Sequence, residues 1–416
     1  MTTKFVRSAL ATVCAGLVFT AVAAPATIAA ESPPTVEHTA PGRGALVAIE
    51  AVATLGKKTL AAYLTDRGLT TPSPDQGVHA YRLIYRTVGP DGAATTASGL
   101  LVVPHNDNRV LQVVSYQHGT NSLKDGAATV SDDRIDRAIA MFFAGAGYAA
   151  VAPDFLGLGY GAGPHPYLDV TSETTASVDM LRAARTALAS LGRTTRPDVL
   201  VTGFSQGGRT SMALGRALAE GADPDFRLGA LAPVSGPFDL LGTQLPAALD
   251  GRLEPHAAAF YLAYFTVAWN RLHHLYDTPA EAFATPHVEP LFDGTHDDQE
   301  IVRQLPAPHD LLTPRFAERL RHPTGPLADA LRTGDSTCSW HPPAPIRIYA
   351  SPADQEVPIT NSEHCRDTLH THGANPQLTI LGEADHRTTP IAALPDILRF
   401  FHTTTRSTPP SDGSQN

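Results

Sequence analysis

The run Val199-Leu200-Val201-Thr202-Gly203-Phe204-Ser205-Gln206-Gly207-Gly208 joins two kinds of periodicity at one point. Up to Thr202 it is a continuous apolar stretch, as a strand covered on both faces requires. From about Gly207 to Glu220 the apolar residues fall at helical spacing. Between them stands Gly203-Phe204-Ser205-Gln206-Gly207, a G-x-S-x-G in the strand-turn-helix context that gives this pattern meaning. A sharp turn there holds the serine in strained backbone geometry and lifts its hydroxyl above the sheet, at the positive end of the next helix. Only residues without bulky side chains at 203 and 207 let the neighbouring chains approach. Ser205 is the candidate nucleophile, and Gly203 and Gly207 are the glycines of its elbow.

Outward from that turn, strand and helix alternate. Strands are expected over 81–88 and 97–103, separated by the turn Gly89-Pro90-Asp91-Gly92, then over 110–116, 149–152, 199–202 and 228–233. Helices are expected near 133–146, 176–191 and 207–220, and a further helical spacing covers 45–64. The alternation stops over 238–343, a stretch rich in proline and histidine. It resumes with strands over 346–350 and 377–381 and helices near 359–371 and 391–401. The economical reading is an α/β fold: one doubly wound, mostly parallel sheet, whose core (31–237 and 344–404) is split by a helical insertion at 238–343. Residues 405–416 are expected to be a polar, flexible tail.

A serine hydroxyl is a weak nucleophile until a base takes its proton and a third group fixes that base. On such a sheet the partners follow in the order Ser, acid, His. His386, in Gly382-Glu383-Ala384-Asp385-His386, lies just past the last strand and is the candidate base. Asp354, in Ser351-Pro352-Ala353-Asp354-Gln355-Glu356, follows the preceding strand and is the candidate acid. Glu356 is second choice, and Asp385 is disfavoured because a residue adjacent to the histidine rarely turns back onto its ring. The oxyanion of an acyl-transfer intermediate needs preorganised donors. One is expected from the N–H of Gln206, the other from Thr120 in Gln117-His118-Gly119-Thr120, with His118 beneath the loop in a structural role.

The N-terminus bears on compartment. Lys4 and Arg7 precede an uncharged stretch from Ser8 to Ala30 with small residues at Ala21, Ala23, Ala24 and Ala26, the pattern of a cleavable secretory signal over 1–30. The rival is an uncleaved anchor, against which the Ala/Thr-rich composition and Pro25 weigh. Cleavage removes Lys4 and Arg7 and takes the formal charge from −10 to −12. It also leaves Cys338 and Cys365 as an even pair in an exported protein, expected as a disulfide, with two free thiols as the alternative.

Composition excludes other classes. Of the 416 residues 43 % are hydrophobic and 17 % charged, so the chain is not disordered, and its acidic balance without like-charge blocks argues against nucleic-acid binding. No metal site has convincing spacing, since the pair His273-His274 lacks further ligands nearby, and no glycine-rich phosphate loop is present, so no cofactor is expected. No later segment is long and apolar enough for stable membrane insertion, and oligomeric state is not encoded legibly.

Taken together, Tyr116-Gln117-His118-Gly119-Thr120, Val151-Ala152-Pro153-Asp154-Phe155-Leu156-Gly157-Leu158-Gly159, His165-Pro166-Tyr167 and Gly203-Phe204-Ser205-Gln206-Gly207-Gly208 resemble the secreted α/β-hydrolases of the secretory lipase group, over about residues 80 to 400. The resemblance implies an α/β-hydrolase fold with a helical cap between core strands 6 and 7. It also implies hydrolysis of a small-molecule or lipid carboxylic ester by Ser205, Asp354 and His386 through an acyl-enzyme. A secreted exopeptidase or an acyltransferase on the same fold would use the same groups. Asp154 and His165 match family positions and are expected to hold the loop after the fourth strand. In the insertion, 257–269 is apolar on nearly every helical face, which fits a buried cap helix or a lid.

Overall fold

The computed structural model describes residues 42–407 apart from Pro286. The expected signal segment over 1–30 lies outside the described residues, as does the tail beyond 407. Nine strands form one sheet: β1 (Leu46–Leu55), β2 (Val78–Val88), β3 (Ala94–Pro104), β4 (Val110–Gln117), β5 (Ala149–Pro153), β6 (Thr194–Phe204), β7 (Arg227–Val234), β8 (Arg347–Ala350) and β9 (Gln377–Ile380). Their spatial order is β1-β2-β3-β5-β4-β6-β7-β8-β9. The first three strands and the β3–β5 pair are antiparallel, and every pairing from β5 to β9 is parallel.

The long helices are α1 (Lys57–Thr65), α2 (Ile135–Gly145), α3 (Val170–Ser190) and α4 (Gln206–Ala219). After β7 come α5 (Leu245–Leu249), α6 (Pro255–His273), α7 (Pro279–Ala282), α8 (Asp298–Gln304), α9 (Pro308–Leu311), α10 (Pro314–Arg321) and α11 (Gly325–Asp335), all before β8. Helix α12 (Thr360–Thr371) joins β8 to β9, and α13 (Thr389–Ser407) ends the described chain.

Strand alternation assigns the core. In β6, Val199 and Val201 pack on one side with Met180, Leu181, Met212 and Leu214 of α3 and α4. Leu200 points the other way, into a cluster with Leu60, Phe142, Phe143, Leu394 and Ile397 of α1, α2 and α13. Both faces are therefore covered, which is why β6 carries the uninterrupted apolar run Val199-Leu200-Val201. A third cluster, built around Phe260, Tyr264, Phe265 and Trp269 of α6, belongs to the helices between β7 and β8 and takes in Tyr167 and Leu168 of the main body.

One expectation is corrected. Residues 45–64 are not a single helix: they form edge strand β1 and, after Gly56, helix α1. Register from Leu46↔Tyr85 to Leu55↔Val78, shifted between Leu46 and Ala48 and between Ala51 and Ala53, pairs the strand antiparallel with β2. At the sheet edge its side chains stay largely exposed, Val47 by 53 %. Their spacing therefore marks no buried helical stripe.

Candidate active site

Ser205 sits between the end of β6 and the start of α4 with φ 54° and ψ −120°, a left-handed conformation that a residue with a side chain adopts only under constraint. The constraint is visible at its flanking glycines. A Cβ at Gly203 would overlap the Gly207 carbonyl, and a Cβ at Gly207 would overlap the carbonyls of Gln117 and His118. The elbow and the end of β4 are thus in backbone contact, which brings the loop carrying Thr120 beside the serine.

The Ser205 Oγ lies 3.0 Å from His386 Nε2, and His386 Nδ1 lies 2.7 Å from Asp354 Oδ2. The other Asp354 oxygen accepts the N–H groups of Glu356 and Val357 at 3.0 and 2.8 Å, so both carboxylate oxygens are occupied. Ser205, His386 and Asp354 are each about 95 % buried. The Phe204 ring packs on the imidazole with centroids 4.6 Å apart. The weaker candidates are engaged elsewhere: Glu356 accepts the Tyr261 hydroxyl at 2.5 Å, and Asp385 caps the first turn of α13 through Thr388.

Gln206 opens α4, and the N–H of a first helical residue has no partner inside its helix. Thr120 and Gly119 line the same cleft as Ser205 and His386, a space of about 970 Å³. The Thr120 hydroxyl is 3.1 Å from the Tyr167 hydroxyl, and the Tyr167 ring stacks on Tyr264 of α6 at 4.2 Å. The far wall of the cleft comes from the helices between β7 and β8, through Ala257, Phe260, Tyr261 and Val302.

Behind the site lies a buried polar layer. Asp154 accepts the hydroxyls of Ser98, at 2.6 Å, and Thr129, and burial pushes its carboxyl above the ordinary range against those bonds. His118 faces the carbonyl oxygens of Gly119 and Asp154, 2.6 and 3.1 Å from its ring nitrogens. His165 Nδ1 is 2.8 Å from the Leu156 carbonyl, and burial lowers its pKa to about 3, so the ring is neutral. Its Nε2 lies 3.0 Å from Gln206 Nε2, which also donates to Glu173 at 2.7 Å. Glu173 was missed by motif reading. Its signal is a lone acid on the α3 face that also carries Ala176, Ser177 and Met180, an otherwise core-facing stripe. Cys338 and Cys365 place their sulfurs at disulfide distance, with Cα atoms 5.3 Å apart. Among the described residues no group of three or more His, Cys, Asp or Glu side chains is arranged to hold a metal ion.

The sequence matches no protein-family model and no curated protein. Solved structures do match. The rice cell wall degrading esterase LipA of Xanthomonas oryzae is 26 % identical over 88 % of this chain and 98 % of its own, with a TM-score of 0.76. A protein of Legionella pneumophila is 25 % identical over 89 % of this chain and 100 % of its own, with a TM-score of 0.79. Candida antarctica lipase A in its closed state, at 17 % identity and a TM-score of 0.66 over 89 % of this chain and 84 % of its own, shares the fold. With the strand order and the two helical layers described above, these likenesses identify the fold of this chain as the α/β-hydrolase fold.

Proposed function

We propose that the protein is a secreted serine hydrolase of carboxylic esters, with Ser205 as nucleophile, His386 as base and Asp354 as its orienting acid. The observation that carries the reading is the chain of contacts at 3.0 and 2.7 Å from Ser205 through His386 to Asp354, opening on a cleft able to hold a small ester. The esterase and lipase names of the structural neighbours support the same bond type. His386 Nε2 takes the serine proton as Oγ attacks the ester carbonyl. The N–H groups of Thr120 and Gln206 meet the oxyanion, and His386 returns the proton to the leaving alkoxide. Water then enters, and His386 takes its proton as the water oxygen attacks the acyl carbonyl; the bond from Ser205 Oγ to the acyl group breaks, His386 returns the proton to Oγ, and the acyl group leaves as a carboxylic acid. The residues in these roles are all from the chain, so no cofactor enters the scheme. Export follows from reading 1–30 as a signal peptide. Among the described residues no helix is long and apolar enough to cross a membrane.

A panel of p-nitrophenyl esters of rising chain length, run beside aminoacyl-nitroanilides, tests the reading. Esters are expected to turn over and nitroanilides not. Ser205→Ala is expected to lose activity by far more than a thousandfold while folding normally, since loss of a triad nucleophile removes about a millionfold in kcat elsewhere. A folded Ser205→Ala variant that kept more than about a thousandth of the activity would overturn the assignment.

A further inference from the structure

Helix α3 presents two side chains, one turn apart, to the two proposed oxyanion-donor segments: Glu173 to the side chain of Gln206 and Ser177 to Gln117, three residues before Thr120. Glu173 is 1 % exposed and accepts the Gln206 side-chain amide at 2.7 Å and the Thr210 hydroxyl. Ser177, four residues on, has its hydroxyl 2.8 Å from Gln117 Oε1, at the head of the loop that carries Thr120. Gln206 follows the nucleophile, so its amide is one side chain away from the peptide N–H that faces the oxyanion.

The geometry around Gln206 is one-sided. Its amide nitrogen directs one hydrogen to Glu173 and the other to His165 Nε2, while Gln206 Oε1 is buried with no partner among the described residues. An unpaired buried carbonyl is unfavourable, and an apolar side chain of the same length would avoid it. The Glu173 Oε1 facing the amide accepts from its N–H, so it fixes which end of the amide turns inward. Among the described residues no cation pairs with Glu173 at contact distance; Arg209 acts on it from further away, and burial raises its pKa. Charge pairing is therefore not what the residue supplies.

We propose that Glu173 is a positioning residue: by gripping the Gln206 side chain it holds the Gln206 peptide N–H on the oxyanion. The proposal rests on the ester-hydrolase reading above and adds a residue to it.

The test compares wild type with Glu173→Ala, Glu173→Gln and Gln206→Met on a soluble p-nitrophenyl ester. Thermal melting checks the fold, and inhibition by a trifluoromethyl ketone, which forms a tetrahedral adduct, reports the oxyanion site. Glu173→Ala and Gln206→Met are expected to lower kcat about 10- to 100-fold, less than outright loss of an oxyanion donor. KM should stay within about twofold, and the ketone should weaken by the same factor as kcat. Glu173→Gln keeps an acceptor oxygen for Gln206 and should stay within about threefold of wild type. Wild-type kcat in a folded Glu173→Ala variant, or equal losses in the Ala and Gln variants, overturns the proposal. Should Glu173→Ala not fold, Gln206→Met decides alone, and wild-type kcat there is equally fatal. Wild-type turnover of the ester tests the underlying reading separately: without it both fall, and with it the variant ratios judge Glu173.

Discussion

At Ser205 the backbone stores strain that its neighbours must hold in place. The left-handed φ of 54° is unfavourable by itself, of order 1–3 kcal/mol, and persists because glycines at 203 and 207 allow contacts no larger residue could make. The polar layer behind the elbow shows the same over-determination, with His165 as its titratable member. In the folded chain the His165 ring is held neutral with a pKa near 3, whereas an unfolded histidine titrates near 6.5. The folded pKa is depressed, so the unfolded state binds the extra proton first. Its contribution is fully present above about pH 6.5 and is lost as pH falls toward 3, at up to about 1.4 kcal/mol per pH unit. His165→Asn keeps a side-chain donor for the Leu156 carbonyl but cannot titrate. Urea midpoints measured from pH 7 to pH 4 are expected to fall less steeply for His165→Asn than for wild type; parallel slopes would show that other groups dominate acid unfolding.

At the scale of elements, the helices between β7 and β8 are tied to the site at many points. The Tyr261 hydroxyl donates to Glu356, the Glu254 N–H donates to the Gln355 carbonyl and Gln244 donates to the Glu356 carbonyl, all on the loop that carries Asp354. On the opposite side Trp269 Nε1 donates to the Tyr167 carbonyl, the Tyr264 hydroxyl to the Asn121 carbonyl, and the Ser122 N–H and hydroxyl to Asp298. Opening such an insertion as a lid would break these bonds together and expose the apolar cluster around α6. Initial rates on a p-nitrophenyl ester are therefore expected to saturate smoothly through its solubility limit. A rise in rate when the ester forms aggregates would show that the insertion opens. The same elements show what the sequence makes legible. Strands β5 and β6 were readable because burial on both faces writes the apolar runs Ala149–Ala152 and Val199–Val201, and Ser205, Asp354 and His386 were readable because each stands just past a strand, β6, β8 and β9 in turn. Edge strand β1 was not, since its exposed side chains carry no burial signal. Glu173 was not, because its partner Gln206 is 33 residues away and only the folded chain brings them together.

For the molecule as a whole, the Cys338–Cys365 pair sits where the insertion rejoins the core. Cys338 closes the last turn before β8, Cys365 lies in α12, and both are buried in the cluster on the α3–α4 face of the sheet. A bond there encloses β8 and the Asp354 loop within a segment spanning 27 positions. Cross-linking a loop of that length constrains the unfolded chain by about 3.5 kcal/mol in the chain-entropy model. The site itself is held by other contacts: Asp354 by the N–H groups of its own loop, and the loop by Gln244 and Glu254. Cys338→Ala/Cys365→Ala is therefore expected to lower unfolding stability by about 3–4 kcal/mol, read from urea denaturation, while kcat and KM below the melting range stay within about twofold. Unchanged stability together with alkylation of two thiols in unreduced wild type would show that the pair is not bonded in solution. A large fall in kcat at full folding would show instead that the bond, and not the loop's own hydrogen bonds, sets the position of Asp354.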